Sequence, residues 1–215
     1  MAGRGEKNRG LAVTGGTRLP RPMIEVKRLT GAEVTPHLDD LARMRIEVFR
    51  EYPYLYEGSE GYERGYLESY AASPRSVFVL ALDGGEVVGV STGLPLLEAG
   101  DSFNAPFVAA GIDPATVFYF GESVLRAGAR GQGIGHRFFD EREAHAAALG
   151  FPVTAFCAVE RPADHPLKPD GYRPHDAFWG KRGYVKRPAI QARFSWQQID
   201  AADKVPNVLT FWTRG

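Results

Sequence analysis

The chain has 215 residues, a length typical of one domain that buries a hydrophobic core. Its 26 basic and 26 acidic residues give a formal net charge of zero, which argues against a general nucleic-acid-binding protein, and no apolar run is long enough to span a membrane. The single cysteine, Cys157, excludes an internal disulfide and favours a reducing compartment, so we expect a cytoplasmic protein that binds neither nucleic acid nor membrane.

The N-terminal segment differs in composition from the rest of the chain. Residues 1–22 are rich in Gly and Arg and show no sustained hydrophobic periodicity. They also lack the continuous apolar core of a secretory signal. We therefore predict a disordered N-terminal arm over residues 1–22 and a single folded domain over residues 23–215.

The hydrophobic patterns predict a mixture of helices and strands along the folded domain. In chain order they are a strand at 23–29, helices at 37–52 and 61–73, a hairpin at 76–96, a turn-rich segment at 98–116, a strand at 117–125, a helix at 135–149, a strand at 152–160, a short helix at 176–182, and strands at 189–196 and 207–214. Because a helix joins strands 117–125 and 152–160, we expect these two to lie parallel. The other strands are expected to be antiparallel, so the fold class is α/β with a mixed sheet.

A glycine-rich turn precedes the helix at 135–149. The stretch RAGARGQGIGHRFF, residues 126–139, contains four glycines and leads from a strand into that helix. The first N–H groups of a helix lack intrahelical acceptors, and glycines let the main chain approach a ligand closely. The stretch therefore predicts an anion-binding site.

The spacing of this turn distinguishes three phosphate-binding patterns. A P-loop is poorly supported because Ile134 and Gly135 stand where Lys and Ser/Thr are needed. A dinucleotide fingerprint fails because His136 stands where the third glycine is needed. The third pattern, [Arg/Gln]-x-x-Gly-x-[Gly/Ala], is met by Arg130, Gly133 and Gly135.

With this loop the chain resembles the GNAT superfamily of acyl-coenzyme A-dependent N-acetyltransferases. The likeness covers roughly residues 23–214 in element order and includes AFWGKRGY, which is similar to the family's aromatic–x–x–x–Gly–aromatic segment. It implies a GNAT-like mixed, mostly antiparallel sheet of six to seven strands flanked by helices, with one parallel strand pair around the cofactor cleft. It also implies acetyl-coenzyme A as co-substrate and an amine as acceptor. We expect a monomer or homodimer.

The resemblance also assigns cofactor contacts. In the family the strand before the loop diverges from its parallel neighbour, the pantetheine arm lies in the gap, and a main-chain N–H there would polarise the thioester carbonyl. The pyrophosphate would lie on the N–H groups of the loop, where Arg130 would either orient the loop or contact a phosphate oxygen. The predicted cofactor-binding residues are Val124, Leu125, Arg126, Arg130, Gly131, Gln132, Gly133, Ile134, Gly135 and His136.

Glu122 and Tyr172 are the predicted catalytic residues. Glu122 lies in an otherwise apolar strand, where a carboxylate is costly unless it has a function. We expect it to act as the general base, directly or through a water; the alternative is a structural carboxylate bonded to a neighbouring loop. Trp179 occupies the position of the tyrosine that acts as general acid in many family members, and an indole N–H is no practical proton donor.

Tyr172 is the candidate substitute for that acid. The alternatives are a purely packing role for Tyr172 and protonation of the thiolate by solvent; His165 and His175 are weaker candidates. Cys157, within an apolar strand, is expected to be a buried structural thiol, and His145 a partly buried, hydrogen-bonded side chain. Since no Cys/His/Asp cluster has metal-ligand spacing, we predict no metal.

The acceptor region is less well defined by the sequence. Tyrosines at 52, 54, 56, 62, 66 and 70 alternate with glutamates. We interpret Tyr62, Tyr66 and Tyr70, four residues apart, as one helix-packing stripe, while the first three remain open as contacts for a cationic amine. Segment 98–116 and the proline-rich loop 161–174 are predicted to wall the acceptor pocket. The polar contacts considered there are Arg161, Asp164, His165 and Arg173.

These features predict an N-acetyltransferase that transfers the acetyl group of acetyl-coenzyme A directly to a primary amine of a small molecule. Direct transfer is preferred because the sequence offers no convincing nucleophile. Two alternatives stay open: a protein or peptide N-acetyltransferase, and a non-catalytic acyl-coenzyme A-binding module.

Overall fold

The computed structural model describes residues 23–215, so the predicted arm at 1–22 lies outside the described residues. The strands are β1 (Glu25–Thr30), β2 (Val77–Asp83), β3 (Glu86–Pro95), β4 (Val117–Tyr119), β5 (Ser123–Leu125), β6 (Val153–Val159), β7 (Val185–Gln197) and β8 (Lys204–Arg214). The α-helices are α1 (Leu38–Phe49), α2 (Glu60–Ala71), α3 (Asp101–Ala109), α4 (Ile134–Ala148) and α5 (Asp176–Lys181). Short 3-10 turns connect several of them.

The strands form one eight-stranded sheet in the order β1-β2-β3-β4-β6-β8-β7, with β5 also paired to β3. β4 and β6 are parallel, and the other neighbouring pairs are antiparallel. This confirms the predicted mixed, mostly antiparallel α/β sheet with one parallel pair. The strand total exceeds the expected six to seven, in part because the predicted strand 117–125 forms two strands.

A β-bulge divides that strand. Tyr119 pairs with Leu94 of β3, whereas Ser123 pairs with Ser91, so the interval holds one more residue on this strand than on β3. Around the bulge, Gly121 N–H donates to Thr92 O over 3.1 Å and Thr92 N–H donates to Glu122 O over 3.0 Å. The bulge bends the strand and redirects the side chains that follow it.

The sheet carries a hydrophobic core on each face. Side chains of β2 alternate between the two: Phe78 and Leu80 pack in the core with α1, α2 and α3, while Val77 and Val79 pack in the core with α4. Phe178 and Trp179 of α5 pack against the α4 core. The period of two along β2 thus places helices on both sides of the sheet.

The segment 98–116, predicted to be rich in turns, contains a helix of nine residues. α3 runs from Asp101 to Ala109 in spite of an internal proline. Its aromatic side chains pack on the sheet, with ring centroids 4.9 Å apart for Phe107 and Phe211 and 4.8 Å apart for Phe103 and Phe194. Burial of these aromatic rings outweighs the weak helical pattern of the sequence. The loop 161–174 forms neither helix nor strand, as predicted.

Candidate active site

The parallel pair β4–β6 separates immediately after β4. Phe120 N–H donates to Ala155 O over 2.7 Å, which is the last main-chain bond between the two segments. Beyond it β5 pairs with β3, whereas β6 continues along β8. Residues 123–125 and 157–159 therefore border a gap within the sheet.

Main-chain groups of β5 face this gap at every second residue. Glu122 O and Arg126 N–H bond to β3, since Arg126 N–H donates to Val88 O over 2.9 Å. By the alternation of an antiparallel ladder, Val124 also bonds to β3, and Ser123 and Leu125 point to the opposite side. Of the predicted contacts Val124, Leu125 and Arg126, only Leu125 has a main-chain N–H turned toward the gap, and Ser123 shares this orientation.

The glycine loop adopts the conformation expected of an anion site. Gly131 and Gly133 have φ values of 75° and 77°, which favour glycine, and α4 begins at Ile134 directly after them. Among the described residues, the five consecutive N–H groups of 131–135 have no hydrogen-bond acceptor. The adjacent His136 N–H donates to Gly133 O over 3.0 Å, and its ring packs on Phe178. The predicted loop residues Gly131, Gln132, Gly133, Ile134 and Gly135 thus leave a concave run of free donors at a helix N-terminus.

Arg130 is oriented away from that run. Its Nη1 and Nη2 donate to the two carboxylate oxygens of Glu51 over 2.9 and 3.0 Å, and its Nε donates to Leu125 O over 2.9 Å. These contacts are compatible with the orienting role considered for Arg130, and its contact with a phosphate oxygen stays a prediction. The Gln132 amide similarly donates to Gly128 O within the loop.

One cavity of about 1510 Å³ connects the loop, the gap and Glu122. It is larger than the roughly 300–1,000 Å³ of a single small-ligand pocket, as a site for two substrates requires. Arg161, Arg173, Tyr54 and Tyr172 line the cavity.

Part of the predicted acceptor wall lies elsewhere. Asp164 and His165 do not line the cavity, and the His165 ring packs on Tyr52 instead. No residue of 98–116 lines it, because the aromatic side chains of α3 pack on β7 and β8. Arg161 is held by the main chain, donating to Pro53 O over 2.6 Å and to Tyr54 O over 3.0 Å.

Glu122 lies at the bulge, on the sheet face covered by α1 and α2. Its side chain is 2% exposed, and its Oε2 lies 2.6 Å from Arg45 Nη1 and accepts from Tyr66 Oη over 3.2 Å. Its Oε1 is buried without a partner among the described residues. Glu122 also lines the cavity described above, and a carboxylate oxygen without a donor is a suitable proton acceptor.

Arg45 joins Glu122 to a second carboxylate. Its Nε donates to Glu63 Oε2 over 2.5 Å, and Glu63 Oε1 accepts from Tyr56 Oη over 2.7 Å. Burial acts to lower the pKa of Arg45, but the charges of Glu122 and Glu63 outweigh it and raise that pKa overall. Sequence reasoning missed Arg45. The signal was one basic residue in the apolar row Leu41–Arg45–Phe49 of α1.

A second buried arginine approaches the bulge from the α4 side. Arg142 is 2% exposed, and its Nη1 donates to Thr92 O over 3.3 Å and to Glu122 O over 3.2 Å. Its guanidinium lies over the ring of Phe120, 4.2 Å from the centroid. Among the described residues it pairs with no carboxylate, and burial lowers its pKa to about 10. Arg142 was also missed.

Two tyrosines in the cavity wall differ in their surroundings. Burial raises the pKa of Tyr172, helped by Tyr52 and Asp176, and its ring meets that of Tyr52 edge-on at 4.7 Å. Burial also raises the pKa of Tyr54, whose charged neighbours include Arg45 and Glu122. Tyr54 thus shares the surroundings of Glu122.

The tyrosine stripe of α2 is not only a packing face. Tyr62 is 66% exposed, so it does not belong to the stripe. Tyr66 Oη lies 2.7 Å from Tyr70 Oη as well as 3.2 Å from Glu122 Oε2. The interpretation as packing is therefore wrong for Tyr62 and incomplete for Tyr66.

The segment AFWGKRGY, residues 177–184, forms part of the cavity wall and packs on the strands beside it. Trp179 packs on Phe156 and Trp212, with centroids 5.0 and 5.2 Å away, and Tyr184 Oη donates to Glu143 Oε1 over 3.1 Å.

Cys157 is buried, with its Sγ 3.3 Å from Tyr119 Oη, and burial raises its pKa to about 12. A thiol with that pKa is a poor nucleophile near neutral pH.

The predicted hydrogen bond of His145 is present, with its Nε2 2.9 Å from Arg75 O. None of the helices described over residues 23–215 is both long and apolar enough to cross a membrane.

Comparison with known proteins agrees with this geometry. The sequence model described as Acetyltransferase (GNAT) family matches residues 41–167, more than half of the chain. No curated protein matches the chain by sequence.

Solved structures share the fold at low identity. Ribosomal-protein-alanine N-acetyltransferase from Brucella melitensis is 14% identical, with 88% of this chain and 98% of that one covered and a TM-score of 0.58. A phosphinothricin acetyltransferase from Sinorhizobium meliloti, solved in complex with AcCoA, is 17% identical, with 89% and 87% covered and a TM-score of 0.56. A polyamine N-acetyltransferase from Drosophila melanogaster is 13% identical, with 89% and 99% covered and a TM-score of 0.56. With its glycine loop and separated parallel strands, the chain belongs to the GNAT acetyltransferase family.

Proposed function

We propose that the protein transfers the acetyl group of acetyl-coenzyme A directly to a primary amine of a small molecule. The observation that carries the proposal is the continuity of one cavity from the free N–H groups of 131–135, through the gap beside β5, to the unpaired Oε1 of Glu122. This order matches the order of parts in the reaction: diphosphate, pantetheine arm, thioester and amine.

The donor would bind by main-chain contacts. The pyrophosphate accepts hydrogen bonds from the loop N–H groups, favoured by the dipole of α4. The pantetheine amides pair with Ser123 and Leu125 along the gap. A main-chain N–H of β5 then polarises the thioester carbonyl and stabilises the tetrahedral oxyanion.

Glu122 would be the general base. An amine attacks the thioester carbon only after losing a proton from its ammonium form, and Oε1 of Glu122 accepts that proton directly or through a water. The new C–N bond forms, the C–S bond breaks, and the electron pair of that bond leaves with the coenzyme A sulfur. The second proton lost by the attacking nitrogen replaces the proton that the general acid gives to this sulfur. Arg45 holds the other oxygen, Oε2, and Oε1 has no hydrogen-bond partner among the described residues.

A tyrosine would protonate the leaving thiolate, since Trp179 cannot. Tyr172 is the residue expected from the sequence, and its phenol lines the cavity and is protonated near neutral pH. Tyr54 has the same property and lies among the charges around Glu122, which makes it the better-placed donor. Comparing Y54F with Y172F decides between them: the donor's variant loses kcat, while the other retains it.

The acceptor end of the cavity favours a small amine over a peptide. The segment after α1 crosses the end of the sheet: Glu57 N–H donates to Gln197 O and Ile199 N–H donates to Leu55 O, both over 2.9 Å. Trp196 Nε1 donates to Tyr54 O over 3.1 Å. This crossing segment restricts the space that a polypeptide acceptor would need. A cytoplasmic location and a monomeric or homodimeric state remain predictions from the sequence.

Thiol release from acetyl-coenzyme A, measured across a panel of small amines, amino acids and peptides, tests the proposal. We expect turnover with at least one small amine and a fall of at least about 100-fold in E122Q, with coenzyme A affinity unchanged by calorimetry. Coenzyme A binding without turnover on any acceptor would leave only a binding module. No binding at all would overturn the proposal.

A further inference from the structure

Arg45 is shared between two buried carboxylates. Its Nη1 is 2.6 Å from Glu122 Oε2 and its Nε is 2.5 Å from Glu63 Oε2. The side chains of Arg45, Glu122 and Glu63 are 9%, 2% and 1% exposed. One buried cation thus faces two buried acids, and Coulomb interactions are strong there because water does not screen them.

The remaining charged and titratable groups around Glu122 come from several elements. Tyr66 and Tyr70 come from α2, and the Arg45 guanidinium carbon lies 4.2 Å from the centroid of the Tyr66 ring. Arg142 of α4 contacts the main-chain oxygen of Glu122, and Tyr54 is a further neighbour. Among residues 23–215, Arg45 is the cation that forms an ion pair with the Glu122 carboxylate.

We propose that Arg45 is a positioning residue for the reaction, and that Glu63 tunes the base by competing with Glu122 for the charge of Arg45. The inference rests on the proposed role of Glu122 as general base. Arg45 contacts Oε2 and leaves Oε1 without a partner, while Glu63 shares the same guanidinium and so limits how strongly Arg45 stabilises the Glu122 carboxylate.

This arrangement predicts opposite effects for two substitutions in the same cluster. E63Q removes a competing negative charge, so Arg45 stabilises the Glu122 carboxylate more strongly and the base works at lower pH. R45K keeps the charge but loses the fork that contacts both acids at once, so the Glu122 carboxylate is less stabilised and the base works only at higher pH. A structural role alone would lower the rate in both variants without moving their pH dependence apart.

The experiment is the pH profile of kcat/KM, with acetyl-coenzyme A and the best amine found, for the wild type, E63Q and R45K. E68Q is the matched control, since Glu68 lies on the same helix but pairs with Arg64 at the surface. We expect the acidic limb to move by about one pH unit downward in E63Q and upward in R45K, with E68Q unchanged. Shifts in the same direction, or a shift in E68Q as large as in E63Q, would overturn the proposal.

A readout independent of turnover separates this inference from the proposed function. The ¹³C signal of the Glu122 side-chain carboxyl, assigned by its loss in E122Q, is titrated in the same folded variants. Opposite displacement of its midpoint in E63Q and R45K supports charge sharing, even if no amine is ever acetylated. Equal midpoints in all folded variants overturn it, whatever the activity.

Discussion

Two buried arginines reach the β-bulge from opposite faces of the sheet, and they differ in what they bind. Arg45, on the α1 and α2 side, meets the carboxylates of Glu63 and Glu122. Arg142, on the α4 side, meets only main-chain oxygens among the described residues. Both side chains are buried, yet the pKa of Arg45 is raised and that of Arg142 is lowered to about 10.

The two arginines therefore have different roles at the site, one electrostatic and one structural. Arg45 carries a compensated charge that acts on the proposed base, whereas Arg142 ties two strands together at Thr92 O and Glu122 O. Those two oxygens also accept main-chain N–H groups, so Arg142 reinforces a bulge that already has its own hydrogen bonds. Substitutions at the two arginines should therefore differ in size and in pH dependence.

The largest effect is expected from R45M. It leaves two buried carboxylates without their cation, which costs about 3–5 kcal/mol in the free energy of unfolding near neutral pH. Denaturant unfolding measures it. The loss should shrink as the pH falls, because protonation removes the unpaired negative charges. A stability loss that is constant with pH would contradict the role assigned to Arg45.

G121A tests whether the bulge is as closely packed as the contacts suggest. A Cβ at Gly121 would lie 2.6 Å from Thr92 Oγ1 and 2.8 Å from Tyr70 Oη, so we expect a loss of about 1–3 kcal/mol. G128A is the control, because nothing lies within 4 Å of a Cβ there. Equal unfolding free energies for the two variants would show that the bulge tolerates side chains.

R142M should lower the free energy of unfolding by less than R45M or G121A does. The carbonyls keep their main-chain donors, and removing an uncompensated buried cation offsets part of the lost hydrogen bonding, so we expect about 1 kcal/mol in the free energy of unfolding. A loss of unfolding free energy as large as that of R45M would contradict the different roles assigned to the two arginines.

C157A should have the smallest effect on catalysis. Removing a covalent nucleophile costs on the order of 10⁴- to 10⁶-fold in rate, whereas we expect thiol release by C157A to match that of the wild type. A large loss would favour an acyl-cysteine intermediate over direct transfer.

The same variant carries a pH test of stability. Burial raises the pKa of Cys157 from 9.0 to about 12, so the unfolded thiol loses its proton at lower pH than the folded one. Wild-type stability should therefore fall more steeply than that of C157A between about pH 9 and 12. Parallel unfolding curves for the two proteins across this range would contradict the burial of the thiol.

Local patterns predicted much of the fold and the glycine loop of the candidate site. The hairpin at Asp83-Gly84-Gly85, the strand–helix–strand unit and the glycine loop each depend on residues close together in sequence, and each is present. The bulge was not predictable, since TVFYFGESVL is a continuous β-rich run and a register shift depends on pairing with β3. α3 was underestimated because packing of Phe103 and Phe107 stabilises it.

The buried arginines show the limit of reading side chains singly. Arg45 and Arg142 each stand in a row of apolar residues spaced by four along a helix, which marks them as buried. Their partners come from other elements: Glu63 from α2, Glu122 from the bulge and Thr92 from β3. Sequence spacing within one helix therefore indicates burial but not the partner.

A crystal structure of the chain with coenzyme A bound tests the proposed donor site most directly. We expect the pyrophosphate on the N–H groups of 131–135 and the pantetheine arm in the gap between residues 123–125 and 157–159, with its sulfur beside Glu122. Coenzyme A bound elsewhere, or a gap closed by pairing of β5 with β6, would contradict it.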